Sequence, residues 1–209
     1  MTPKPLAVTA EGLGLRGTHG WVYRGIDLTA DPGDLVAVVG PAGSGRTALL
    51  LALAGRMEFT TGTALLGRYR LPEQHRQIRR QVSLALVPGV NDLDPALTVG
   101  EHVRERLLLA GRLPRQAAVT TALRDTDLTP DTLVRHLDPA DRQLLGLALA
   151  RLDQPGLIVL DDIDADLSAA DQRALWIRLR RATPVTTIVA CHDATPAEGV
   201  ADTVVQLTR

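Results

Sequence analysis

The residues best suited to chemistry lie in one run, Gly40, Pro41, Ala42, Gly43, Ser44, Gly45, Arg46, Thr47 and Ala48. Apolar Leu35–Val39 leads into it and a helical pattern from Ala48 to Ala54 follows. In a strand, glycine-rich loop and helix, successive backbone N–H groups curl around an anion, and the new helix adds its positive end. The run therefore predicts a phosphate cradle, with the Thr47 hydroxyl on a Mg²⁺ ion. The side chain expected to reach the outer phosphates is a lysine, and here it is Arg46. A guanidinium is a broad planar fork rather than a compact point charge, so weakened and geometrically altered phosphate binding is expected. Lys4 is the only lysine of the chain, so no other is available in its place.

Two further groups complete a phosphoryl-transfer reading. The apolar run Leu157–Leu160 ends in Asp161, which suits metal support, and in Asp162, which suits polarising a water. His192 follows a second apolar run, where ligand contacts gather in open α/β sheets. Plainer readings stand beside these: a glycine-rich turn, two turn or capping acids, and a histidine that merely ends a strand. Cys191 reads as a small buried apolar residue, because neighbours on a strand point to opposite faces and a Cys–His dyad is disfavoured. His19, His75, His102 and His136 lack metal-ligand spacing and are assigned to the surface. Arg76, Arg79 and Arg80 read as a solvated helix face, since no aromatic residues are interleaved to stack on bases.

The elements that must position these groups alternate. Residues 6–29 read as short antiparallel strands, and Asp31-Pro32-Gly33-Asp34 as a turn into strand 35–39. The helix from Arg46 is expected to end near Gly55. A strand pair is predicted around Gly62 and Gly67, a short helix over 72–80 and a strand over 82–87. Residues 97–136 carry helical periodicity with no intervening strand. Asp138 and Pro139 then read as N-cap and first turn of a helix reaching about Leu152. Helix 168–181 and strands 185–190 and 203–207 close the chain. Such alternation implies a parallel sheet covered on both faces. With 209 residues and a net charge of −1, one domain with a real core is expected, and nothing steers it to nucleic acid. No apolar run approaches the roughly 18 residues of a membrane span. One cysteine excludes an internal disulfide framework, and the start lacks a signal peptide's pattern, so a cytoplasmic location is expected.

In order and spacing these landmarks resemble the ATP-binding subunits of ABC transporters over nearly the whole chain. ALVPG (85–89) takes the place of the Q-loop strand and LTVGEHV (97–103) that of the opening of the helical subdomain. The run 137–168 is in register with the signature helix, Walker B and the D-loop, VACHD (189–193) with the switch-histidine strand, and ADTVVQL (201–207) with the closing strand. The resemblance implies an α/β fold: a P-loop NTPase core (about 31–90 and 140–209), an N-terminal antiparallel β-subdomain (about 6–30) and a helical subdomain (about 91–139). It implies ATP and Mg²⁺ as ligands, a separate transmembrane subunit docked near the Gly89 loop, and a second ATP-binding subunit, identical or not. The protein would then lie on the inner face of the cell membrane through its partner.

The departures are specific. Besides Arg46, Gly89 stands at the Q-loop glutamine, LDPAD (137–141) at the LSGGQ signature, Asp162 at the glutamate, and Ser168 at the D-loop aspartate. Trp21 is the nearest aromatic to the place of the adenine-stacking residue. Weak ATPase activity is expected, with Asp162 or His192 acting on the water. The alternative is a regulatory nucleotide-binding module with little turnover. A small kinase or DNA-repair ATPase is disfavoured, because the chain offers neither an acceptor site nor a long coiled-coil insert.

Overall fold

A computed structural model describes residues 4–182 and 184–208. The chain begins with β1 (Val8–Gly17), β2 (Gly20–Ala30), β3 (Leu35–Val39), α1 (Arg46–Leu53), β4 (Thr61–Leu66), β5 (Tyr69–Leu71), α2 (His75–Arg79) and β6 (Val82–Leu84). It continues with α3 (Val99–Leu109), α4 (Gln116–Ala122), α5 (Pro139–Arg151), β7 (Leu157–Leu160), α6 (Ala169–Ala182), β8 (Thr186–Cys191) and β9 (Thr203–Gln206). Two sheets result, an antiparallel one ordered β2-β1-β4-β5 and a parallel one ordered β6-β7-β8-β3-β9.

Within the parallel sheet β3 shows why its sequence is an unbroken apolar run. Val36 and Val38 face a core shared with the antiparallel sheet and α1, while Leu35, Ala37 and Val39 face the core under α5 and α6. Both faces are dry, so the usual polar alternation has nowhere to go. On the second face α6 buries Leu175, Trp176 and Leu179, each contributing about 1.5–3 kcal/mol.

Three expectations are corrected here. Residues 6–29 form two long strands rather than several short ones; register shifts along the β1–β2 pairing absorb the interruptions. The strand pair around Gly62 and Gly67, assigned above to the nucleotide core, extends the antiparallel sheet instead, with Val8 opposite Leu66 and Ala10 opposite Ala64. The strand from Val82 stops at Leu84 rather than at Val87, because the Asn91 side-chain amide takes the carbonyls of Leu84 and Ala85.

The helical part packs α3, α4 and α5 around Val103, Leu107, Val119, Leu123 and Leu145. Thr98 and Glu101 cap α3 reciprocally: the Thr98 N–H donates to Glu101 Oε2 at 2.7 Å and the Glu101 N–H to Thr98 Oγ1 at 3.2 Å. Asp138 caps α5 as expected, accepting from the Asp141 N–H at 2.8 Å, with Pro139 in the first turn. His102, assigned above to the surface, is buried on the inner side of α3, and its Nε2 lies 3.1 Å from the Asp94 carbonyl oxygen. A polar ring with a local backbone partner is tolerated there.

Candidate nucleotide site

The parallel sheet gathers the predicted groups. β3 lies between β8 and β9, with β7 on the far side of β8. The residues after β3, β7 and β8 therefore emerge together at the carboxyl ends of the strands, where open α/β sheets bind ligands. Gly40 donates to the Cys191 carbonyl at 3.2 Å, seating the loop on β8. Two glycines of the loop are sterically required. A Cβ on Gly40 would stand 2.5 Å from Ser44 Oγ and 2.8 Å from the Leu207 carbonyl oxygen. Gly45 has φ +88°, and a Cβ there would meet Val22 at 2.9 Å and Tyr23 at 3.0 Å.

The loop has the donors an anion needs. Gly45 caps α1 without any side-chain hydrogen bond, so the first N–H groups of the helix have no side-chain cap. The Ser44 hydroxyl is buried and has no hydrogen-bond partner among the described residues. An orphaned hydroxyl beside an uncapped helix start fits a phosphate group. Thr47 Oγ1 donates to Asp161 Oδ2, bringing together the two predicted metal-supporting groups. Burial pushes the Asp161 carboxyl above the usual carboxylate range, and the Thr47 hydrogen bond opposes that shift.

That direction yields a prediction. A carboxyl whose folded pKa is raised contributes stability below its unfolded pKa and loses it as pH rises through the folded value. At neutral pH the buried charge is a net cost, and Asp161→Asn removes it, its amide oxygen accepting the Asp162 N–H and its NH2 donating to Thr47 Oγ1. The ligand-free variant should melt about 2–4 °C higher, and Mg²⁺ should no longer add to nucleotide-induced stabilisation. Thermal melts with ADP, with and without Mg²⁺, check both parts.

Arg46 does not extend towards solvent. It is 7 % exposed. Its Nη1 donates to the Gly40 carbonyl at 2.8 Å; its Nη2 donates to Asp162 Oδ1 at 2.8 Å and lies 2.9 Å from His192 Nε2. A guanidinium only donates, so His192 Nε2 accepts and its Nδ1 carries the proton. That Nδ1–H faces Asp164 Oδ1 at 3.1 Å, and Asp164 Oδ2 accepts the His192 N–H at 2.5 Å. Sequence reasoning missed Asp164. Its signal was present, an acid two residues beyond Asp162 where the Walker B strand turns, yet only folding places it under a histidine 28 residues away. Asp162, Asp164 and His192 lie close enough to ligate a metal, but the Arg46 guanidinium is already bonded to two of the three.

The remaining predicted positions divide. Asp162 sits in the left-handed region at φ +45°, a conformation aspartate tolerates better than most residues. Trp21 is exposed on β2, with the Arg24 guanidinium 5.0 Å and that of Arg16 6.0 Å from its ring centroid. The contacts that bring β2 to Gly45 run through its neighbours Val22 and Tyr23. Cys191 is buried under the sheet, and burial holds its thiol at about 12, so it is inert. Ser168 acts as a cap for α6, its Oγ accepting the Asp171 N–H at 3.2 Å. Gly89 turns at φ +74°, its N–H on Asp92 Oδ2 at 2.9 Å.

A glycine-rich loop between a central parallel strand and a helix, with an acid from the next strand but one on its threonine, is the architecture of a P-loop nucleotide-binding protein. The sequence model described as ABC transporter matches residues 23–165. The chain belongs to the ABC transporter family, as one of its ATP-binding subunits. It is 30 % identical over 187 residues to the lipoprotein-releasing system ATP-binding protein LolD of Legionella pneumophila (strain Lens), covering 85 % of this chain and 82 % of that one. It is 33 % identical to the Fe(3+) ions import ATP-binding protein FbpC 2 of Rhodococcus jostii (strain RHA1), covering 88 % of this chain and 54 % of that one. Among solved structures, an ATP-binding subunit of an ABC transporter superposes with a TM-score of 0.72 at 24 % identity, covering 96 % of this chain and 85 % of that one. The cbiO1 structure from Clostridium perfringens, part of the ABC transporter complex cbiONQ, gives 0.76 at 18 % identity, covering 97 % and 86 %. Among the described residues no helix is long and apolar enough to cross a membrane.

Proposed function

We propose that the chain binds a magnesium-bound adenine nucleotide at Gly40–Thr47 and couples its occupancy to a separate transmembrane subunit. The observation that carries this reading is the Thr47–Asp161 contact beside the unpartnered Ser44 hydroxyl and the uncapped start of α1. The backbone of residues 43–47 would hold phosphate, Thr47 and Asp161 the metal, and His192 and Asp162 would face the outermost phosphoryl group. Bound Mg²⁺ would draw charge from the phosphate oxygens, which is the chemistry it supplies in this class. Turnover would be slow, because Asp162 is engaged by Arg46 rather than free to polarise water.

The docking surface for the membrane partner is the groove between the Gly89 loop and α3. A cavity of about 370 Å³ opens there, lined by Leu86, Asn91, Leu93, His102, Arg106 and Gly146. Gly146 lets the loop strand close on α5, since a Cβ would meet Leu86 at 2.5 Å. Val90, Leu108, Leu109 and Leu113 are exposed apolar residues on the same part of the chain, as an interaction surface requires. The reading places the protein in the cytoplasm, peripheral on the inner face of the membrane. A second ATP-binding subunit would complete the transporter.

Titration calorimetry with Mg-ADP tests the nucleotide reading. Saturable binding that weakens in EDTA and in Thr47→Ala is expected. No heat of binding from folded protein would sink it.

A further inference from the structure

We propose that Arg46 makes this loop selective for nucleoside diphosphate over nucleoside triphosphate. The proposal rests on reading Gly40–Thr47 as the nucleotide cradle and adds a specificity that this reading does not contain. Its basis is how the donors of one nitrogen, Arg46 Nη2, are committed. Nη2 of a guanidinium has two hydrogens, and both are committed, one to Asp162 Oδ1 at 2.8 Å and one to His192 Nε2 at 2.9 Å. Nη1 is held by the Gly40 carbonyl at 2.8 Å. These three partners sit at the ends of three adjacent strands, so the fork ties the loop to the strands beside it. Asp164 holds the far side of His192 at 3.1 Å, which leaves the acceptor nitrogen turned to Arg46.

The inner phosphoryl groups need chiefly the loop's backbone N–H groups, and their metal the Thr47 hydroxyl, none of which Arg46 uses. Among the described residues, Arg46, Asp162 and His192 are the groups that a third phosphoryl group would face, and they already satisfy one another. To engage it through Nη2, Arg46 must release Asp162 or His192. Asp162, once released, would be left as an unneutralised carboxylate beside added negative charge, and buried donors and acceptors lost without replacement are costly. A lysine in the same place would bring three freely rotating donors on a compact head, without a fork that spans both partners.

Calorimetry with Mg-ADP and with a non-hydrolysable Mg-ATP analogue tests this. The unaltered chain should bind ADP at least about tenfold more tightly than the triphosphate. Asp162→Asn should bring the two affinities within about threefold, because it weakens the ion pair while asparagine accepts the left-handed backbone at φ +45°. Arg46→Lys should shift the ratio the same way, so the test does not depend on one variant folding. Nitrogen NMR of His192 gives a readout apart from affinity: a protonated Nδ1 held by Asp164 and an Nε2 accepting from Arg46 in the free and ADP-bound chain, with the Nε2 hydrogen-bond shift, though not the Nδ1 proton, changed in Arg46→Lys. Equal or tighter triphosphate binding by the unaltered chain would overturn the proposal. So would an ADP preference that both folded variants keep. Binding of neither nucleotide would instead overturn the cradle reading, and the proposal with it.

Discussion

Phosphate release from Mg-ATP by the Arg46→Lys/Asp162→Glu double variant is expected to exceed that of the unaltered chain by about 10²-fold. Two obstacles are removed together. The Arg46 guanidinium is hydrogen-bonded to the carboxylate that would act on water, so in the unaltered chain that group is a counter-ion first. Aspartate is also one methylene shorter than glutamate, and a catalytic group misplaced by about 1 Å can cost ~10²-fold. Each single change should recover less. Lysine alone leaves the short acid. Glutamate alone leaves the arginine in place; in both variants that carry it, glutamate must adopt a left-handed backbone at φ +45°, at roughly 1–2 kcal/mol for a non-glycine residue. Steady-state phosphate release, with thermal melts to verify folding, measures all four proteins. A double variant no faster than the unaltered chain would place the defect outside these two residues.

Mg-ATP is expected to leave the unaltered chain monomeric, whereas a chain with Asp138→Ser, Pro139→Gly, Ala140→Gly and Asp141→Gln should associate at least about 10²-fold more tightly. The family resemblance implies that two domains close around two nucleotides, each presenting the start of its signature helix to the other's phosphates. In this chain that start is α5, where Asp138 caps the Asp141 N–H and proline occupies the first turn. A carboxylate about 5 Å from a phosphate charge at an effective dielectric of about 20 is repelled by about 3 kcal/mol. The positive end of the helix contributes about 0.3–1 kcal/mol in the other direction. Repulsion prevails.

The pH dependence has a definite sign. Burial, and next the neighbouring Asp138, raise the Asp141 carboxyl above its ordinary range, while Arg178 opposes the shift. Asp141 therefore takes up its proton at a higher pH than an ordinary aspartate, and its share of the repulsion fades as pH falls through that raised value. Association should increase as pH falls through that raised value and be weakest above it. Light scattering across pH, with and without Mg-ATP, distinguishes the cases; a nucleotide-dependent dimer of the unaltered chain at pH 7 would refute the prediction.

Both predictions show what kind of information each level carries. Local chemistry was legible residue by residue. An apolar run followed by glycines and a helix start can curl in few ways, so the strand, loop and helix around Gly40–Thr47 were readable from the sequence. The apolar strands ending in Asp161 and His192, and the Asp138-Pro139 helix start, were readable for the same reason. Each is set by neighbours in the chain, through backbone sterics, capping and burial. The edges of elements were less legible: Asn91 ends β6 through a side-chain bond that no periodicity reveals. Likewise Gly62 and Gly67 mark a turn-rich strand pair without saying which sheet it joins.

The state of the site was decided by tertiary structure alone. Arg46 meets Asp162 across 116 residues of chain and His192 across 146. No local pattern encodes such a meeting, because it exists only once β3, β7 and β8 lie side by side. The same holds for Asp164 beneath His192, and for Val22 and Tyr23 against Gly45. The sequence by itself determined that a glycine-rich loop of phosphate-cradle pattern follows an apolar strand and that arginine stands where the pattern has lysine. Only the packed sheet decided where that arginine points, since a guanidinium goes to the acceptors within reach and the fold alone determines which those are.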